Sequence, residues 1–180
     1  MKIIKESIKD VSDELDNVLT QIHGCNYVVY GELTTFDYEG NDQDFNIENL
    51  KDIYFELPQK DSLNLKKTDS KYSYIDGEIN PSNWNDALSE INNDLRYVPY
   101  GWGEIKAENI GLDFVSDSEF ERRKKIFWGL IQKHFELPSA FVYKHKDYYP
   151  SYFSFYVMWG FCYIFLNDGK GLVLHAGASD

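Results

Sequence analysis

Cysteine is scarce in this sequence, which has only Cys25 and Cys162 among 180 residues. Two cysteines are too few for the disulfide framework of a small secreted domain, so a reducing compartment is expected. The N-terminal residues alternate charged and apolar side chains, without the apolar core of a secretion signal. We therefore expect a cytoplasmic protein.

Long apolar runs and the short motifs of common enzymes are also missing. The longest apolar stretch, residues 152–166, is too short to cross a bilayer as a helix. The sequence has no glycine-rich phosphate loop, no CxxC pair, no HExxH and no GxSxG. These observations predict no catalytic site, no cofactor, no metal centre and no membrane contact.

Positive charge is in short supply, since 18 Lys and Arg stand against 30 Asp and Glu for a net charge of -12. Such a chain repels nucleic-acid phosphates and attracts basic surfaces, so nucleic acid is not an expected partner. The basic run Arg122–Lys125 does not change this, because four consecutive helical positions point around more than one side of a helix. We interpret this run as a solvated helix face.

The length and the apolar content of 43% suit a single domain over residues 1–180 with one sizeable core. The pattern predicts an α+β fold, mainly an antiparallel sheet of about six to seven strands packed with three helices. The helices are expected at about 4–23, 81–95 and 117–134. The strands are expected near residues 26–36, 53–57, 72–77, 141–144, 152–158, 160–166 and 172–175.

Local signals support these boundaries. Apolar residues such as Ile4, Ile8 and Leu15 recur at helical spacing in the first segment. Pro81 suits the first position of the second helix, with Asn80 as its cap. The third helix begins at a capping box formed by Ser116 and Glu119. Asp168-Gly169 between two apolar runs predicts a β-hairpin.

The weak candidates for chemistry each have a structural explanation. His23 and Cys25 flank a glycine at a predicted helix C-terminus, which is the wrong end to activate a thiolate. The other histidines are dispersed without zinc-site spacing. Residues 37–48 partly match a calcium-binding loop, but position 6 of that loop is Asp42 rather than glycine. We interpret this segment as a solvated acidic loop.

The acidic segment between Glu32 and Asp61 is the strongest candidate binding surface. It holds nine Asp and Glu against two Lys, with aromatic residues between them. Carboxylates steer a basic protein and aromatic rings anchor it, so the segment predicts a partner-binding face. The alternative is that the rings point inward and the carboxylates only solvate the sheet. The candidate partner-binding residues are Asp37, Tyr38, Glu39, Asp42, Asp44, Phe45, Glu48, Asp52 and Tyr54.

A small, acidic, motif-poor α+β chain of this kind resembles the immunity proteins of bacterial polymorphic and contact-dependent toxin systems. The resemblance covers the whole chain in style and rests on no specific motif. It implies tight binding to a cognate toxin domain, often a basic nuclease, with carboxylates placed where the toxin expects phosphates. Two alternatives stay open: a small enzyme whose histidines and acids converge only in three dimensions, and a structural or regulatory subunit of a homo-oligomer.

Overall fold

The computed structural model describes residues 1–15, 18–19, 28–57, 77–95, 117–137, 139–146 and 157–179. In these ranges the chain forms one antiparallel sheet of six strands and three α-helices, so the predicted α+β class is confirmed. The strands are β1 (Lys2–Asp10), β2 (Val28–Glu39), β3 (Glu78–Ser82), β4 (Phe141–Lys146), β5 (Val157–Asn167) and β6 (Lys170–Ser179). The helices are α1 (Ile47–Glu56), α2 (Trp84–Leu95) and α3 (Asp117–Gln132).

The strand order across the sheet is β1-β2-β6-β5-β4-β3, and every neighbouring pair is antiparallel. The predicted hairpin joins β5 to β6 through Asp168 and Gly169, whose φ angles are 48° and 77°. Two consecutive positive φ angles match the right-handed twist of the strands, which explains the Asp-Gly pair. The hairpin prediction is confirmed.

Each face of the sheet carries its own apolar core, because alternate residues of a strand point to opposite faces. One core contains Tyr163 and Phe165 of β5 with buried residues of α2 and α3. The other contains Cys162 and Ile164 with buried residues of α1. The described part of the chain is therefore three layers deep, with helices on both faces of the sheet.

The helix predicted over residues 4–23 is wrong for its first part, because Lys2–Asp10 is the edge strand β1. Ile3 is the buried residue of this strand, and the pairing with β2 shifts register between Ile4 and Lys9. The helical spacing of the isoleucines misled the prediction, because a bulged edge strand does not keep strict alternation. Leu15 and Leu19 are helical and fully buried, as expected for the second part.

The strand predicted at residues 53–57 is also wrong, because this segment lies in α1 and its following residue. Asn46 caps the helix, because its side chain accepts hydrogen bonds from the backbone N–H groups of Glu48 and Asn49. In return, the side-chain oxygen of Asn49 accepts a hydrogen bond from the backbone N–H of Asn46. Leu50 and Ile53 lie one turn apart and are fully buried. This capping box favours a helix here, although several side chains of the segment are typical of strands.

The second helix starts later than predicted. Pro81 belongs to the edge strand β3, where a missing N–H is tolerated. Asn83 caps α2 instead, accepting a hydrogen bond of 3.0 Å from the backbone N–H of Asp86. The third helix is confirmed as α3, and the chain turns at Lys133 and His134. The predictions for residues 20–27, 58–76, 96–116 and 147–156 lie outside the described residues.

Candidate acidic binding surface

The predicted carboxylates lie at or near the surface of the molecule. Asp37 and Glu39 are exposed at the end of β2, Asp44 is exposed in the turn that follows, and Glu48 and Asp52 are exposed on α1. Asp42 is partly buried, because its carboxylate accepts a hydrogen bond from the Tyr38 hydroxyl. The structure therefore places all six predicted acids on adjoining elements, at or near the surface.

The predicted aromatic anchors lie elsewhere. Tyr38 and Phe45 are 4% and 5% exposed and belong to the core beneath α1, while Tyr54 is partly buried beside the Cys162 thiol. The expectation that the rings of Tyr38 and Phe45 face a partner is wrong. Phe45 packs 5.6 Å from Tyr143 and 6.4 Å from Phe36, measured between ring centroids, so burial decides their orientation.

Three carboxylates from two distant segments converge where β2 ends and the β5–β6 hairpin turns: Asp42, Asp44 and Asp168. We call this group the acidic end. The backbone N–H of Tyr38 donates to the Gly169 carbonyl at 2.9 Å, and the Tyr143 hydroxyl donates to the Asp42 carbonyl at 2.8 Å. The first bond joins the end of β2 to the hairpin, and the second joins the turn after β2 to β4.

The negative charges of the acidic end raise the pKa values of two nearby phenols, those of Tyr38 and Tyr143. Burial, the hydrogen bond to Asp42 and the nearby charges of Asp42 and Asp168 raise the pKa of Tyr38. Burial and the charges of Asp42 and Asp44 raise the pKa of Tyr143. In the described part of the chain, none of the three carboxylates forms an ion pair.

A second group of acids continues from the acidic end along α1. Asp44, Glu48, Asp52 and Glu56 follow one another at intervals of four residues, and all four are exposed. We call these four residues the acidic strip. Glu56 was not among the predicted site residues, although Tyr54 of the same predicted strand was. A helix predicted from the capping residue Asn46 would have placed Glu56 four residues after Asp52, on the same side of the helix.

Lysines partly compensate the acids outside the acidic end. The ammonium of Lys2 lies 3.6 Å from Glu39, that of Lys51 lies 2.9 Å from Glu48, and that of Lys5 lies 2.8 Å from Glu56. Exposed pairs of this kind contribute about 0 to 1 kcal/mol each, so a partner's cations can replace them at small cost. The surface therefore stays available to a basic ligand.

A row of three residues that could carry chemistry crosses the middle of the same sheet face. Glu32, His175 and Cys162 are register partners on β2, β6 and β5, and His175 Nδ1 lies 3.4 Å from Glu32 Oε2. These are the residue types of a nucleophile, a base and an orienting acid. Sequence spacing could not reveal the row, because Glu32 and His175 are 143 positions apart.

The thiol in this row is not a nucleophile in the observed conformation. Cys162 is fully buried, and burial raises its pKa to about 12, while the Tyr54 hydroxyl beside it acts in the opposite direction. A thiol of this kind is protonated at neutral pH and shielded from solvent. The geometry describes a polar row inside the core.

Two half-buried carboxylates of α2 form a second polar cluster. Glu90 accepts hydrogen bonds from Lys144 and from the Tyr163 hydroxyl. Burial opposes ionisation of Glu90, but these two bonds prevail and lower its pKa. Asp94, one turn further, has its pKa raised to about 6 by burial and by the charge of Glu90. The pair differs in protonation at mildly acidic pH.

The structure adds little support for other kinds of site. No cluster of His, Cys, Asp and Glu within the described ranges is arranged to hold a metal ion. None of the helices described here combines the length and apolar character that a bilayer crossing requires. Two open grooves mark the described surface: one is lined by residues 82–85 and 139–142, and the other by residues 1–6 with Glu39 and Asp52.

Comparisons with known proteins give no family for this chain. No protein-family model matches it, and no curated protein matches its sequence. Two crystal structures of citrus MAF1 are similar in shape, with TM-scores of 0.44 and 0.46 and sequence identities of 12% and 13%. They cover 92% and 94% of this chain and 97% and 99% of the MAF1 chains. Both TM-scores lie below 0.5, so no property of MAF1 is transferred to this protein.

Proposed function

We propose that this chain is an acidic binding protein that neutralises a basic protein partner, and specifically an immunity protein for a cognate toxin domain such as a nuclease. The observation that carries the proposal is the acidic end, where Asp42, Asp44 and Asp168 meet without an ion-pair partner in the described part of the chain. The three carboxylates contribute to a negative potential around Tyr38 and Tyr143, which a basic surface would complement.

The rest of the surface fits the same role. The acidic strip extends the negative potential from the acidic end along α1, so a basic partner is attracted over a continuous face. Carboxylates on such a face stand where a nuclease would otherwise hold phosphates. The proposed place of action is the cytoplasm, where an immunity protein meets an incoming toxin domain.

The test is protection of growing cells. The proposal predicts that a neighbouring reading frame encodes a large secreted protein, and the C-terminal domain of that protein is expressed from an inducible promoter, with and without this chain. We expect growth arrest without the chain and growth with it. A triple variant, Asp42→Asn, Asp44→Asn and Asp168→Asn, should lose protection while accumulating at the wild-type level, because asparagine tolerates the positive φ at position 168 and keeps an acceptor for the Tyr38 hydroxyl.

A matched control neutralises three exposed acids elsewhere, with Asp13→Asn, Glu78→Gln and Glu136→Gln. It changes the net charge by the same amount and should still protect. Equal loss of protection in both triple variants would assign the effect to overall charge rather than to the acidic end. Absence of protection by the wild-type chain would contradict the proposal.

A further inference from the structure

The outward side of α1 carries an aromatic residue among its acids. Glu48, Asp52, Phe55 and Glu56 are exposed and share one side of the helix, opposite Leu50 and Ile53 in the core. Phe55 is 55% exposed, whereas most large apolar side chains of the described residues are buried. We call these four residues the outer face of α1.

Glu48 lies in the first turn and pairs with Lys51, which stabilises the helix, but Asp52 and Glu56 do not stabilise it. Glu48 and Asp52, like Asp52 and Glu56, are like charges four residues apart, which destabilises a helix slightly. Glu56 lies in the last turn, where a negative charge opposes the helix dipole, and the last turn contains no basic residue. Local helix stability therefore does not account for Asp52 and Glu56.

Lys5 shows what kind of ligand this face accepts. Its ammonium lies 5.7 Å from the centre of the Phe55 ring and 2.8 Å from Glu56 Oε1. An aromatic ring beside a carboxylate is a favourable site for an organic cation. The groove lined by residues 1–6, Glu39 and Asp52 lies alongside, between β1 and α1, and gives room for a chain segment.

We infer that the outer face of α1 is the docking surface for an arginine- or lysine-rich segment of a protein partner, with Phe55 as the anchor ring. Lys5 occupies the cation position in the unbound protein, and a partner's guanidinium displaces it because arginine stacks on rings and pairs with carboxylates in a bidentate manner. The inference rests on the proposed function, since it names the surface and the side chains that bind the basic partner. Charge complementarity and the exposed ring favour this occupant over a second copy of the acidic chain.

The experiment titrates an acetylated, amidated hexa-arginine peptide into the full-length ¹⁵N-labelled protein at low salt and follows amide chemical shifts. Saturable shifts are expected in α1 and at Lys5. Phe55→Ala should weaken binding by about fivefold, and Phe141→Ala, which removes an exposed ring from β4, should not change it. Lys5→Met should tighten binding by about threefold, because the internal competitor is gone.

Lys9→Met is the control for charge, since Lys9 is exposed on the same strand and its loss changes the net charge equally. If both lysine variants tighten binding equally, the proposal that the peptide displaces Lys5 is wrong. Shifts centred on the acidic end, together with a loss of affinity in Phe141→Ala but not in Phe55→Ala, would overturn the docking surface and leave the proposed function standing. Absence of saturable binding anywhere would contradict both. Circular dichroism of each variant checks that it is folded.

Discussion

Cys162 and His175 lie directly opposite each other on the neighbouring strands β5 and β6, and Glu32 continues the same row on β2. The arrangement brings a thiol, an imidazole and a carboxylate together on one face of the sheet. This row does not form an accessible nucleophilic site, because Cys162 is fully buried in the core. The reactivity of this thiol therefore tests whether the row can act as a nucleophilic site.

Alkylation of Cys162 should be slow in the native protein. With its pKa raised to about 12, the thiolate fraction at pH 8 is roughly three orders of magnitude below that of an ordinary thiol. The measurement is iodoacetamide labelling of a Cys25→Ser background, followed by mass spectrometry in buffer and in urea. A native rate within tenfold of the unfolded rate would show an accessible, activated thiol and would favour the enzyme.

Gly171→Ala should destabilise the protein strongly. A Cβ at Gly171 would lie 2.0 Å from Cζ of Phe36, whose fully buried ring cannot move without disturbing the core. We expect a loss of about 3 kcal/mol or more in the free energy of unfolding, measured by urea denaturation.

Gly129→Ala is the matched control, because a Cβ there meets nothing within 4 Å on the exposed side of α3. It should raise the free energy of unfolding by about 0.5 to 1 kcal/mol through helix propensity. Similar effects of the two substitutions would contradict the close packing of β6 against Phe36.

Asp94→Asn should stabilise the protein at neutral pH. The pKa of Asp94 is raised from 3.8 to about 6, so the folded state holds its proton more tightly than the unfolded state. Stability from this group is present below about pH 4 and is lost as the pH rises to about 6. Because Asp94 is only partly buried, we expect a gain of about 1 kcal/mol at pH 7.5 and none at pH 4.

The pH dependence is measured by urea denaturation of both proteins between pH 4 and pH 8. Asp86→Asn, on the exposed first turn of the same helix, is the control and should lose a few tenths of a kcal/mol, about the value of a carboxylate near a helix N-terminus. A stability difference for Asp94→Asn that does not vary with pH would contradict the raised pKa.

Local patterns predicted the parts of the fold that local chemistry determines. The Asp168-Gly169 hairpin follows from two positive φ angles, and α3 follows from helical spacing around Phe127 and Ile131. The first strand was missed because the edge strand β1 shifts register, so its isoleucines imitate helical spacing. Helix α1 was missed because the β-forming residues Ile53, Tyr54 and Phe55 outweighed the cap at Asn46.

For the candidate surface, the sequence predicted the exposure of the carboxylates but not the orientation of the aromatic rings. Carboxylates such as Glu48 and Asp52 are exposed in a helix as they would be in a loop, so their placement did not depend on the correct element. The rings of Tyr38 and Phe45 face the core, which no count of neighbouring charges reveals. Asp168 joins Asp42 only through the pairing of β2 with β6, a contact between distant parts of the sequence.

The most direct test of the acidic binding surface is the association rate with the toxin domain that the proposed function predicts, measured as a function of salt. For the wild-type chain we expect the rate to fall by about tenfold or more between low and moderate salt. The double variant Asp42→Lys and Asp44→Lys should associate more slowly at low salt and respond less to added salt. Association that is independent of salt and unchanged in the double variant would contradict the account.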